Sequence, residues 1–363
     1  MSRVCLIGLA AGGHSGVPRY TAALTGGIDR VASEFPELSM RLLTTDRGAL
    51  QSGVESIPVE LIGGRRADPS AGLSRILAEQ VHARSADADL LHFFDLTGPL
   101  LAARRDFVTT VHDAAIQHGF ERTRVLHKRM IQPWAIRRAA AAVAVSRFAR
   151  DEAVRLLSAD PARIRVIHSG PGLTPVQRDA PPIRGADYLL YVGNLSAHKN
   201  LPFLVRAFER AGVEARLLLV GRRGERFGEI RRAVEASAAG DRIEIRRTVS
   251  DAEVDRLYRG AAMLLLPSRY EGFGFTALEA MARDTPVLAS DIPALQEISG
   301  GGAMLLPVDD ERAWADAIRR LLSEPELRTD LLRRGRETVS RFSWEDTARS
   351  LCRLFIDLGQ RKR

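Results

Sequence analysis

The segment Ser268-Arg-Tyr-Glu-Gly-Phe-Gly-Phe-Thr-Ala-Leu-Glu279 carries two carboxylates with seven residues between them. Upstream, Ala261-Ala-Met-Leu-Leu-Leu-Pro267 reads as a short buried strand closed by a proline. Downstream, Thr276 to Arg283 is made of strong helix formers. Glu271 is therefore expected in a loop at a strand's carboxyl end. In the turn Gly272-Phe273-Gly274-Phe275, the two glycines let the backbone approach a ligand closely. The helix that follows directs free N–H groups at that ligand, a favourable place for phosphate. Glu279, inside the helix, can accept hydrogen bonds from the vicinal hydroxyls of a sugar. The combination suits a nucleotide sugar.

Other groups could serve the same chemistry. Gly193 ends a strand, and Asn200-Leu-Pro202 opens the next helix, so Lys199 is expected at a helix N-terminus. A lysine there adds full charge to stabilise a departing diphosphate; the plainer reading is an exposed lysine ahead of a helix. His198 either donates to the same phosphate or is a surface loop residue. His112 and Asp113 close the strand Phe107-Val-Thr-Thr-Val-His-Asp. An imidazole at a strand's carboxyl end can donate to a sugar hydroxyl or steady developing charge, against the common case of a buried structural histidine. Asp113 anchors that ring or caps the next segment. The loop Ala10-Ala-Gly-Gly-His-Ser-Gly-Val-Pro-Arg-Tyr20 departs from G-x-G-x-x-G, which disfavours a dehydrogenase. Arg19 in it is either an ion-pair former or a ligand. Asp87-Ala-Asp89 precedes a strand instead of ending one, so a turn-and-cap role outweighs a manganese site, and no zinc spacing occurs. No metal and no cofactor are expected.

These residues must be positioned by an alternating series of strands and helices, the pattern of parallel sheets covered on both faces. In the first half the expected strands are 4–9, 40–44, 90–94, 108–112, 141–145 and 164–168, with helices over 18–33 and 70–83. Ser169-Gly-Pro-Gly-Leu-Thr-Pro and Asp179-Ala-Pro-Pro-Ile-Arg-Gly form a break that reads as a linker. A second series follows: 188–192, 216–220, 243–246, 263–266, 287–289 and 304–306. Two doubly wound domains joined this way form a cleft at the carboxyl ends of both sheets. The expected domains are 1–175 and 176–342, with a C-terminal helix over 343–363.

A chain of 363 residues accommodates two domains with separate cores. Cys5 and Cys352 sit in apolar settings and read as core residues of a reducing compartment. No signal peptide and no membrane-spanning run are visible, so a cytoplasmic location is expected. The net charge of +8 suits anionic partners, yet most arginines alternate with acids along helical faces. Zinc-finger spacing and aromatic-basic interleaving are missing from the sequence, so nucleic acid is not an expected partner. The segment from Arg122 to Arg138 mixes basic residues with Met130, Ile131, Trp134 and Ile136. It reads as a core-packed helix pair split at Pro133, or as a peripheral contact with an anionic membrane at the inner face.

The two-glutamate segment resembles the E-x7-E signature of the family 4 retaining glycosyltransferases, enzymes of the GT-B fold. Tyr188-Leu-Leu-Tyr-Val-Gly-Asn-Leu-Ser-Ala-His-Lys-Asn-Leu-Pro202 is similar to the family's donor-phosphate loop. Val249 to Tyr258 resembles its nucleobase-side segment and Phe342-Ser-Trp-Glu345 its C-terminal segment, in the family's order. The resemblance implies a hexose moved from a nucleotide sugar to the hydroxyl of a glycan, glycolipid or small molecule, in bacterial polysaccharide, glycolipid or glycoside biosynthesis. It implies Glu271 on the sugar hydroxyls, Glu279 on the ribose, Lys199 on the diphosphate and His112 on the donor sugar. Gly13 and Gly16 would face the sugar and the acceptor. Asn194 stands where the common pattern has an arginine, so a charged phosphate clamp is lost there, and Arg222 or Arg223 could help. This variant loop points to GDP-mannose ahead of UDP-sugars. Other readings are a nucleotide-sugar epimerase, a phosphorylase, or a non-catalytic nucleotide- or membrane-binding protein.

Overall fold

The computed structural model describes residues 2–7, 16–44, 55–58, 87–99, 106–119, 126–172, 188–247 and 249–361. Packing divides the chain into two compact units, Met1–Gly170 together with Ser343–Arg363, and Pro171–Phe342. Gly13, the expected helix over 70–83 and most of the expected linker lie outside the described residues.

The first unit holds β1 (Ser2–Ile7), β2 (Leu38–Thr44), β3 (Glu55–Pro58), β4 (Leu90–Phe93), β5 (Phe107–Val111), β6 (Ala141–Ala144) and β7 (Ile164–Val166). They form one parallel sheet in the order β3-β2-β1-β4-β5-β6-β7. Its helices are α1 (Gly16–Val31), α2 (Leu126–Arg138) and α3 (Arg147–Leu157). Every residue of β4, β5 and β6 is buried, as expected of strands covered on both faces. Gly16, placed on the sugar by resemblance, is the first residue of α1.

Two expectations need correction here. Proline was expected to divide the basic segment, but α2 runs unbroken through Pro133. The helix forgoes one backbone hydrogen bond and continues, because its other turns still close. The short β3 was not foreseen. Its sequence Glu-Ser-Ile-Pro offers one large apolar residue, enough for an edge strand that pairs on one side only. Asp87 and Asp89 both pair with Arg3, and Asp89 Oδ2 also accepts the Arg3 backbone N–H at 2.8 Å.

The second unit holds β8 (Tyr188–Val192), β9 (Arg216–Val220), β10 (Ile243–Arg246), β11 (Met263–Leu266), β12 (Val287–Ser290) and β13 (Ala303–Leu306), parallel and ordered β10-β9-β8-β11-β12-β13. Its helices are α4 (Leu201–Ala211), α5 (Phe227–Ala236), α6 (Asp251–Gly260), α7 (Phe275–Met281), α8 (Pro293–Ser299), α9 (Glu311–Ser323) and α10 (Pro325–Val339). α4 packs on α9, with Phe203 edge-on to the buried Trp314 at 5.9 Å. The strand order reverses between β8 and β11. The connections that follow two such neighbours run to opposite faces of the sheet, which opens the place where α/β sheets take ligands.

The last helix, α11 (Trp344–Gln360), belongs to the first unit. Trp344 stacks edge-on to Tyr20 at 5.5 Å, and Arg349 grips Glu34 through two nitrogens at 2.8 Å. Among the described residues, no helix is long and apolar enough to cross a membrane.

Candidate functional site

Two loops of the second unit meet at the strand-order reversal. After β8, Gly193 leads through a short 3-10 turn (Ala197–Lys199) to Asn200, whose left-handed backbone starts α4. After β11, Pro267 and Ser268 lead to Glu271. The Arg269 N–H donates to the His198 carbonyl at 2.8 Å and stitches the loops together. The stretch after β13 anchors both: Asn200 Nδ2 donates to Val308 O at 3.4 Å, and Arg269 makes a two-pronged pair with Asp309.

At the junction, Lys199 Nζ donates to Glu271 Oε1 at 2.6 Å. Ser268 Oγ, from a fully buried residue, donates to the same oxygen at 2.7 Å. The Lys199 and Glu271 side chains are 16% and 14% exposed, so the pair is sheltered without being sealed. Burial alone would push the Glu271 carboxyl up. The charge and hydrogen bond of Lys199, the Ser268 bond and His198 outweigh it and hold the carboxyl below its ordinary range. His198 is driven the other way, to about 4, by burial first and by the Lys199 charge second, against the pull of Glu271. The imidazole is therefore neutral at physiological pH. Tyr191 OH donates to the Asn194 carbonyl at 2.9 Å, which shapes the loop while leaving the Asn194 residue exposed.

Glu279 has different surroundings. It is 1% exposed, and its Oε2 accepts the Tyr258 hydroxyl at 2.8 Å. Tyr258 comes from α6, which Ser250 opens by accepting the Glu253 N–H, the S-x-x-E start of a helix. The Arg283 guanidinium lies 5.4 Å from the centre of the Tyr258 ring. Arg283 also donates to Asp255 Oδ1 at 2.6 Å and to the Glu279 carbonyl at 2.9 Å, and Arg259 donates to Asp255 Oδ2 at 2.9 Å. Burial raises the Asp255 carboxyl, but the two arginines prevail and lower it. On the Oε1 side, Gly172 brings its bare Cα against Glu279; a Cβ there would collide with Oε1.

The turn between the glutamates is built for shape. Gly274 takes φ +106° at the start of α7, and a Cβ on it would lie 2.7 Å from Leu295 Cδ2. Phe273, expected among the donor contacts, is buried and packs its ring on Phe275 at 4.9 Å and on Phe342 at 6.0 Å. Gly272 is half-buried beside Glu271, and Val249 is half-buried just ahead of α6.

The remaining candidate, His112, lies in the first unit just past β5. Its Nε2 donates to the Phe94 carbonyl at 2.8 Å, and its ring meets Tyr20 edge-on at 4.6 Å. Asp113 accepts the Ala115 N–H at 2.9 Å and so caps the next turn, leaving the imidazole to Phe94. Sequence reasoning missed Ser268, Tyr258 and Gly172. The S-x-x-E spacing could have signalled the first; nothing local pairs Tyr258 with Glu279, since 21 residues separate them.

Comparison with known proteins gives the chain's relatives. Residues 175–338 match the family described as glycosyl transferases group 1, and residues 35–171 match glycosyltransferase family 4. The two matches, one on each half of the chain, make it a family 4-like glycosyltransferase. It is 28% identical over 257 residues to the O-antigen chain mannosyltransferase B of Escherichia coli, covering 66% of this chain and 67% of that protein. The sucrose-phosphate synthase of Thermosynechococcus elongatus superposes with a TM-score of 0.74 at 23% identity, over 99% of this chain and 100% of that one. Anabaena HepE, solved in complex with UDP and glucose, gives 0.75 at 14% identity over 98% and 100%. At these identities the two structures speak for the fold alone, which is GT-B. The protein is a glycosyltransferase.

Proposed function

We propose that this glycosyltransferase moves a hexose from a nucleoside diphosphate sugar to an acceptor hydroxyl, with retention of anomeric configuration, through the site around Lys199 and Glu271. The observation that carries this reading is the Lys199–Glu271 pair at 2.6 Å, beside a strand-order reversal and steadied by Ser268. Lys199 has three N–H donors and gives one to Glu271, which leaves donors for a diphosphate. Lys199 and Ser268 both bond Glu271 at Oε1, and among the described residues Oε2 is left to accept from sugar hydroxyls.

In this reading the bond from the sugar's anomeric carbon to the diphosphate oxygen breaks, and positive charge develops on the sugar. Lys199 stabilises the negative charge appearing on the diphosphate, at a sheltered site where such an interaction is stronger than in water. The acceptor oxygen then bonds to the anomeric carbon on the same face, and its proton passes to the departing diphosphate. Glu279 holds the ribose. No covalent enzyme intermediate is formed. The neutral His198 is a hydrogen-bond partner there and adds no charge. The resemblance to a mannosyltransferase and the Asn194 form of the loop favour GDP-mannose as donor, ahead of UDP-sugars. Exposed Met130 beside exposed Arg129 on α2 fits a protein working at an anionic membrane surface.

The test is turnover of GDP-mannose and UDP-hexoses, read as nucleoside diphosphate released with and without candidate acceptors. Lys199→Ala and Glu271→Gln are expected to cut transfer at least about tenfold with the fold intact, since each removes a ligand contact. Unchanged turnover in both variants contradicts the assigned roles.

A further inference from the structure

The geometry points to Tyr258 as a positioning residue for donor binding: its hydroxyl sets the Glu279 carboxylate in the orientation that receives the ribose. This rests on the ribose role proposed for Glu279 above. Three observations carry it. First, the hydroxyl donates to Oε2 at 2.8 Å between two buried residues, where a hydrogen bond is stronger than in solvent. Second, Tyr258 is itself held. The Arg283 guanidinium covers its ring, and its carbonyl accepts the Thr285 hydroxyl at 2.6 Å and the Ala261 N–H at 3.1 Å. Arg283 in turn is fixed by Asp255 and by the Glu279 carbonyl, so the phenol and the helix carrying Glu279 share one brace. Third, the opposite oxygen, Oε1, faces Gly172, where no side chain can stand without displacing it. The carboxylate is thus defined from two sides, by a donor at one oxygen and by a bare Cα at the other.

A residue acting this way is visible in how the site tells a ribose from a ribose lacking hydroxyls. Tyr258→Phe keeps the ring and its stacking on Arg283 and removes only the hydroxyl. The experiment titrates GDP, UDP and their 2′,3′-dideoxy counterparts into the full chain, and repeats this with Tyr258→Phe, Glu279→Gln and the double variant. Tyr258→Phe is expected to weaken the ribonucleotide about five- to tenfold and the dideoxy nucleotide less than about twofold, the size of one hydrogen bond. The double variant should fall no further than Glu279→Gln alone, because the hydroxyl acts through that carboxylate. In turnover, KM for the donor should rise with kcat unchanged, since the ribose contact is the same in ground and transition states. Equal weakening of both nucleotides, additive effects in the double variant, or undiminished ribose discrimination would each overturn the inference. A wild-type chain that binds neither GDP nor UDP removes the donor reading and this inference with it. Binding and discrimination by the wild type, retained in Tyr258→Phe, removes the inference alone.

Discussion

The two glutamates of one short segment live in opposite surroundings. Glu271 lies within a loop, is 14% exposed, and is paired with a lysine and a serine hydroxyl. Glu279 is nearly inaccessible, accepts from a neutral phenol, and rests on a brace of two arginines around Asp255. The difference teaches that the loop glutamate is arranged to exchange partners, whereas the helix glutamate is arranged to stay put. A sheltered pair such as Lys199 and Glu271 can admit a charged ligand by redistributing bonds. Glu279 can only receive what is brought to it.

That contrast breaks most visibly at Asp255. Asp255→Ala leaves Arg283 buried without its carboxylate and should destabilise the chain by about 3–5 kcal/mol, read by urea unfolding. Loss of less than about 1 kcal/mol would mean the brace is not structural. At the loop glutamate the balance should invert: Glu271→Gln gives up the charge paired with Lys199 but keeps a hydrogen-bonding side chain of the same shape, so it should lower the urea midpoint less than Asp255→Ala does, while transfer falls at least about tenfold. A third probe uses pH. The His198 imidazole has a folded value of about 4 against an ordinary 6.5. Between these values the unfolded chain binds more protons, so stability is full above about pH 6.5 and is lost as pH falls toward 4. His92, buried in the first unit and pushed by burial to about 3, acts with the same sign, so the comparison must be made against a variant. His198→Gln should flatten the fall between pH 6.5 and 5 by on the order of 1–2 kcal/mol; identical curves would contradict the burial of His198. The smallest effect is expected from Gly172→Ala. Its methyl collides with Oε1, so nucleotide affinity should drop a few-fold, on the order of one hydrogen bond, with the loop pair intact.

Much of the frame was legible because parallel strands buried on both faces leave unbroken apolar runs. Tyr188–Val192, Arg216–Val220, Ile243–Arg246 and Met263–Leu266 are the expected strands residue for residue. β3 escaped because an edge strand needs little apolar sequence, and Pro133 misled because a helix tolerates one missing hydrogen bond. In the candidate site, the Lys199 and Glu271 positions were legible as loop residues at strand ends. Their direct contact was not, since it depends on β8 lying beside β11, a matter of strand order. Ser268 stood in plain view in an S-x-x-E spacing. Tyr258 and Gly172 were invisible, one hidden on another helix and the other read as linker, because their effect arises only once α6, α7 and residue 172 pack together.

The central claim is that Lys199, beside Glu271, grips the diphosphate of the donor. The most direct measurement is calorimetric titration of GDP and UDP, and of guanosine and uridine, into wild type and Lys199→Ala. The account predicts at least about a tenfold loss of diphosphate affinity in the variant, with nucleoside binding unchanged. Diphosphate binding as tight in Lys199→Ala as in wild type would contradict it.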